Sequence, residues 1–109
     1  MDNLKIAGDY AFLYSNFIGS LNLPACTYVG NNAFINSNFT GSLDLPVCEY
    51  IDSGAFQNSN FNSITIGANA TLGTGCIGAH SAEFIADYAA NNKKAGTYVW
   101  NGQHWIYQN

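Results

Sequence analysis

The sequence predicts a β-solenoid of about three 22-residue coils with parallel strands, closed at its carboxy end by one short helix and a β-hairpin. Three observations predict it. Phe12, Phe34 and Phe56 recur every 22 residues, each as the second member of an Ala-Phe pair followed by Ser-Asn-Phe. Each repeat contains a segment of strict apolar/polar alternation. The last third of the chain abandons the repeat and reads as a helix followed by two aromatic-rich strands. A unit of this size cannot bury its own apolar face, so neighbouring units must stack to form a shared core.

The units are Gly8 to Val29, Gly30 to Ile51 and Asp52 to Leu72. The third is one residue shorter, because Thr40-Gly41-Ser42 is answered by Asn62-Ser63. This stretch is read as a turn, since loops absorb deletions and strands do not. Leu4 to Ala7 matches Cys26 to Val29 and is read as the last strand of an incomplete preceding coil. The chain thus starts in mid-repeat, which suggests a piece of a longer protein. The expected division is repeats over residues 1–78 (the incomplete coil, then 8–29, 30–51 and 52–72) and a cap over residues 79–109.

In Ser20 to Leu23, Ser42 to Leu45 and Ser63 to Ile66 the apolar residues alternate with polar ones, the period-two pattern of a half-buried strand. Leu and Ile face inward. Ser20, Ser42 and Ser63, with Asn22, Asp44 and Thr65, form outward columns of one exposed sheet face. Pro24 and Pro46 end the strand by removing a donor. Tyr28-Val29, Tyr50-Ile51 and Thr71-Leu72 then form a second strand on the opposite side, with Val29, Ile51 and Leu72 inward and Tyr28 and Tyr50 exposed. The Ala-Phe pairs turn the corner, their rings stacked as a core ladder.

The run Leu-x-Leu-Pro-x-Cys-x-x-Val/Ile-Gly/Asp-x-x-Ala-Phe, present as Leu21 to Phe34 and as Leu43 to Phe56, resembles the BspA-like (Treponema pallidum type) leucine-rich repeats of bacterial surface proteins. The resemblance covers residues 4 to about 78 and makes the expected fold a leucine-rich-repeat-like β-solenoid. Phe39 and Phe61 stand near a customary Leu, and Ser37 and Ser59 near a customary Cys. The resemblance implies adhesion or protein recognition at a bacterial surface or after secretion, often within a longer chain. It implies no catalysis and no cofactor.

Beyond Gly78, Ser81 to Asn91 places Phe84, Ile85, Tyr88 and Ala89 at helical spacing, with Ser81 as the expected N-cap and Glu83 in the first turn. Thr97 to Trp100 and Gln103 to Tyr107 flank Asn101-Gly102, a two-residue hairpin signal in which both turn residues take positive φ. The hairpin aromatics alternate and are expected to cover the open end of the core, a structural cap rather than a sugar-binding platform.

Only 9% of residues are charged, the net charge is −4 and three residues are Lys or Arg, too few to track a nucleic-acid backbone. No apolar run approaches membrane-spanning length, so membrane insertion is not expected. The residues MDNLKIAGDY carry neither the positive nor the apolar region of a secretory signal.

Cys26 and Cys48 lie one repeat apart and should stack as buried free thiols. Neither they nor Cys76 sits in a metal-binding spacing. A Cys76–His80 dyad and an Asp44–Glu49 pair are the catalytic candidates, and both read better as a buried thiol with a surface His and as two solvent-facing acids.

Two functions remain. The first is a non-catalytic module contacting a protein or glycan through Ser20, Asn22, Ser42, Asp44, Ser63 and Thr65, or through Tyr28 and Tyr50. The second is a structural, virion-type assembly subunit docking through the open edge of Leu4, Lys5 and Ile6, whose unpaired backbone groups template strand addition.

Overall fold

The computed structural model describes residues 1–108. Its elements in chain order are β1 (Ile6–Ala7), β2 (Ile18–Asn22), β3 (Tyr28–Val29), β4 (Asn38–Leu45), β5 (Tyr50–Ile51), β6 (Ser63–Ile66), β7 (Thr71–Leu72), α1 (Ser81–Ala90), β8 (Gly96–Trp100) and β9 (Trp105–Gln108). Successive coils place every second strand beside its counterpart. One sheet therefore runs β1-β3-β5-β7, all parallel, and the other runs β2-β4-β6-β8-β9, parallel through β6 and antiparallel thereafter.

Alternation sorts the side chains as the sequence predicts. Leu21, Leu23, Leu43, Leu45, Ile64 and Ile66 are buried from the larger sheet and meet Ala7, Val29 and Ile51 from the smaller one. Phe34 and Phe56 are fully buried at the corner. The Phe12–Phe34 and Phe34–Phe56 rings stack at 4.7 and 5.0 Å, close to the spacing of paired strands, so rings and backbone advance in step. A second aromatic column of Phe17, Phe39 and Phe61 packs beside the first. Phe12 departs from the expected interior ladder. It is only partly buried, because no coil covers its outer face.

Serines pin the second column. The Phe17 N–H donates to Ser37 Oγ (3.0 Å) and the Phe39 N–H to Ser59 Oγ (3.1 Å), while Ser59 Oγ donates to the Ser37 carbonyl (3.1 Å). A small hydroxyl thus serves two backbone groups of the coil before it. Asn36 Nδ2 and Asn58 Nδ2 likewise donate to the carbonyls of Leu13 and Ile35.

Thr40-Gly41-Ser42 is not a turn. It lies inside β4, and the irregularity takes the form of a bulge. The offset between paired residues grows from 20 at Gly19–Phe39 (39−19) to 22 at Leu21–Leu43 (43−21). The bulge leaves room for the third coil to be one residue shorter without reversing which side chains face inward.

The repeat also runs further than its sequence signature. Cys76-Ile77 occupies the place of Ala55-Phe56, 21 residues on (76−55), and both residues are fully buried. The Gly54 N–H donates to the Thr74 carbonyl just as the Asn32 N–H donates to that of Ser53.

The cap differs from expectation in three ways. Ser81 is the first residue of α1, and the N-cap is His80 in left-handed conformation (φ 62°). The Ser81 hydroxyl is engaged elsewhere, donating to the Gly78 carbonyl and accepting from the Ile77 N–H. The helix covers the core through Phe84 and Tyr88, against which Tyr98 and Trp105 of the hairpin also pack. The Tyr88 hydroxyl donates to the Gly67 carbonyl (2.6 Å) and accepts from the Ala70 N–H (2.9 Å). The hairpin also extends the larger sheet, β8 pairing antiparallel with β6. Its loop spans four residues, 101–104. The Asn101 carboxamide accepts from the N–H groups of Gln103 and His104, so Gln103 and His104 stand outside the strand.

Replacing Phe34 by Ala is expected to cost about 3–5 kcal/mol, and Ser59→Ala about 1–3 kcal/mol by orphaning the buried Phe39 N–H. Phe12→Ala should cost clearly less than Phe34→Ala. Urea midpoints at constant m-value measure all three, and equal losses for the two phenylalanines would contradict the open first coil.

Candidate functional site

The two sheets present different outer surfaces. On the larger one, strand pairing sets Asn22 beside Asp44 and Asp44 beside Thr65. The added strand continues the row with Thr97, whose hydroxyl meets that of Thr65 at 2.7 Å. Asn22, Ser20 and Ser42 are exposed, whereas Asp44, Ser63 and Thr65 are half-buried. The expected fully exposed face is thus narrowed, because the hairpin lies along its last strand.

On the smaller sheet Tyr28 pairs with Tyr50 in register, and their rings stack at 5.3 Å. The Tyr28 hydroxyl donates to Asp52 Oδ2 (3.3 Å). Partial burial, and after it the adjacent Asp52 carboxylate, push the Tyr28 phenol above its ordinary value, so it remains a donor at neutral pH. Both tyrosines are half-buried rather than freely exposed, each leaning on the next coil.

The amino-terminal edge holds the remaining candidates. Leu4 is half-buried, while Lys5 and Ile6 are exposed, Ile6 at 62%. The Lys5 carbonyl accepts from the Thr27 N–H, so this segment is bonded on the side facing β3 and open on the other. Ile18 at the start of β2 is 77% exposed on the same first coil.

The chemical candidates are taken apart. Cys76 is fully buried, while the His80 ring stacks on Trp100 at 4.0 Å. Burial pushes the Cys48 thiol up to about 11 and the Cys76 thiol up to about 12, the reverse of what a nucleophile needs. Cys26 is raised in the same direction for the same reason. All three are free. Asp44 lies in β4, whereas Glu49 is exposed in the connection that precedes β5 of the other sheet. Among the described residues no group of three or more His, Cys, Asp or Glu is placed to hold a metal ion, and no helix is long and apolar enough to cross a membrane.

Two hollows lie apart from the candidate columns and edge, the smaller of them lined by the hairpin aromatics Tyr98, Trp105 and Tyr107. The larger, an open groove of about 490 Å³, runs along the corner turns past Asn32, Gln57, Asn58 and Thr74. Its lining residues include Asn31 and Asn32, and Ser53 and Gly54, which stand just before the second and third Ala-Phe pairs. The smaller, of about 270 Å³, adjoins the hairpin, where Asp87 takes the Trp105 N–H (2.7 Å) and contacts His104 Nδ1 (3.2 Å). Asp87 thereby ties α1 to β9.

The BspA-type leucine-rich repeat region model matches residues 1–99 in six copies. The chain belongs to the BspA-type leucine-rich repeat family. The match passes beyond the parallel coils to include α1 and most of β8. No curated protein and no solved structure matches the chain. A BspA-type solenoid of this kind is a protein-binding and adhesive architecture as a class. Its interior here is filled with side chains, so its chemistry resides on the outer columns, the corner turns and the two ends.

The buried thiols hold their protons more tightly in the folded chain than in the unfolded one. The stability they contribute is therefore complete below about pH 9 and is lost as the pH rises toward 12. Tyr88 and Tyr98, raised chiefly by burial, act in the same direction. Denaturant titrations across this range should show stability falling with pH, less steeply in Cys48→Ala than in the parent.

Proposed function

We propose that the chain is a non-catalytic binding and adhesion module, one segment of a larger surface protein, that grips a partner protein through the β1-β3-β5-β7 sheet. The observation that carries this reading is the stacked Tyr28–Tyr50 pair. Tyrosine supplies large contact area with few rotors, and here the rings are already held by each other and by Asp52, so little ordering entropy remains to be lost on binding. The Asn22–Asp44–Thr65 row and Ser42 lie on the opposite sheet and form a separate hydrogen-bonding panel, suited to a glycan, on the face turned away from that contact. A Tyr28→Ala/Tyr50→Ala double variant is expected to weaken capture of the cognate surface protein by at least about tenfold. Asn22→Ala should change it little, and unchanged affinity in the double variant removes the assignment.

A structural reading, in which the chain is an assembly subunit of the virion type, is favoured by one separate observation. Ile6 and Ile18 are exposed on the uncapped first coil, beside strands with an unpaired edge. Because α1 and the hairpin cover the other end, self-association through this coil would close as a head-to-head pair. Sedimentation at high concentration should then show a dimer that Ile6→Pro abolishes, and a strict monomer removes this reading.

A further inference from the structure

The corner turns carry a column of left-handed residues. Tyr10 (φ 58°), Asn32 (φ 55°), Gly54 (φ 67°) and Gly75 (φ 66°) occupy equivalent positions, spaced by 22, 22 and 21 residues. Asn and Gly adopt this conformation readily, and a bulky aromatic does not. At Tyr10 the fold asks for Asn or Gly and receives Tyr, although the ring is half exposed and contributes little to the core. Its hydroxyl accepts from Asn32 Nδ2 (3.2 Å), which aligns it with the groove that Asn32 lines. Four residues on, Tyr14 is 83% exposed and takes the position that Asn36 and Asn58 hold in the following coils. Two tyrosines with free faces therefore stand on the first coil, in line with a groove formed by the later ones.

The groove lining is entirely uncharged: Asn, Gln, Ser and Thr side chains over a glycine floor. Carboxamides and hydroxyls offer donors and acceptors together, as a ligand made of hydroxyl groups requires. A phosphate or sulfate would find no Lys or Arg in the lining, and the neighbouring Asp9 and Asp52 carboxylates already accept from the Asn31 and Ser53 N–H groups. None of its lining residues lies in a strand, so the groove offers no strand edge to which an extended peptide could add. Part of the amide set is already engaged, since Asn58 Nδ2 donates one of its two hydrogens to the Ile35 carbonyl, leaving the other N–H and the oxygen for a ligand. Gln57 is exposed and Gly75 meets nothing within 4 Å of the place a Cβ would take, so a ligand can approach the backbone closely.

We propose that this corner groove is a binding site for a neutral oligosaccharide. Tyr10 and Tyr14 stack on the apolar faces of the sugar rings, and Asn31, Gln57, Asn58 and Thr74 bond the hydroxyls. The site is separate from the Tyr28–Tyr50 surface, so failure of either assignment leaves the other standing.

The test is a two-dimensional NMR titration of the whole chain with maltotetraose, cellotetraose and chitotetraose, and with a sulfated tetrasaccharide as the charged control. At least one neutral sugar should shift the amide signals of Asn31, Gln57 and Gly75 saturably, with Kd of about 1 mM or tighter. Tyr14→Ala should weaken that binding about tenfold while leaving the melting temperature unchanged. Tyr10→Asn should weaken binding while raising the melting temperature by roughly 4 °C, through release of the left-handed strain. The proposal is overturned if no neutral sugar gives a saturable shift at about 10 mM. Shifts confined to the Tyr28–Tyr50 sheet or the hairpin, equal binding of the sulfated sugar, or full affinity in Tyr14→Ala would each overturn it as well.

Discussion

Everything in this molecule depends on one translation, the advance of about 5 Å from coil to coil. It is set twice, by the hydrogen bonds of the parallel strands and by the stacking of Phe12, Phe34 and Phe56 at 4.7 and 5.0 Å. Because both ladders demand the same step, each coil presents its neighbour with a surface already in register. The Ser37 and Ser59 hydroxyls, the Asn36 and Asn58 carboxamides and the Tyr28–Tyr50 stack all repeat at that step. A change of length is tolerated only at the β4 bulge, where the ladder is already interrupted.

The same translation makes the two ends unlike. At the carboxy end, α1 ends the stack by laying Phe84 and Tyr88 over the core, and the Tyr88 hydroxyl serves backbone groups that a further coil would have taken. At the amino end the first coil keeps its outer face. Phe12 and Phe17 are half-buried there, and Ile6, Tyr14 and Ile18 are exposed. The interior offers only protonated thiols and packed rings, so the polar and aromatic side chains open to a ligand lie on the outer columns and corner turns.

Much of this could be read from the residues alone. Period-two alternation and the 22-residue recurrence report directly on burial and stacking, so the coils, their inward faces, the helix and the buried cysteines were legible. What escaped were features decided by competition between local and tertiary bonds. Ser81 looks like an N-cap, yet its hydroxyl finds the Gly78 carbonyl and the Ile77 N–H, and His80 takes the cap. Asn101-Gly102 looks like a two-residue turn, but the Asn101 side chain prefers two backbone donors further along and opens the loop. The fourth corner was hidden because Cys76-Ile77 packs where Ala-Phe packs while sharing neither letter. Of the candidate surfaces, the rows of side chains were legible. Thr65 was not legible as half-covered, because nothing local announces that β8 will pair with β6, nor was the groove that the corner turns form together.

Native-state hydrogen exchange tests the stacking account most directly. The Phe34 amide donates to Ala55, the Phe39 amide to Ser59 and the Gly73 amide to Ile51, all between covered coils, whereas Phe12 and Phe17 donate from the uncovered first coil. The account predicts that the former exchange only through global unfolding and the latter through a cheaper opening of the first coil, giving a gradient of protection that rises from the amino end. Uniform protection along the chain, or a gradient that runs the other way, would contradict it.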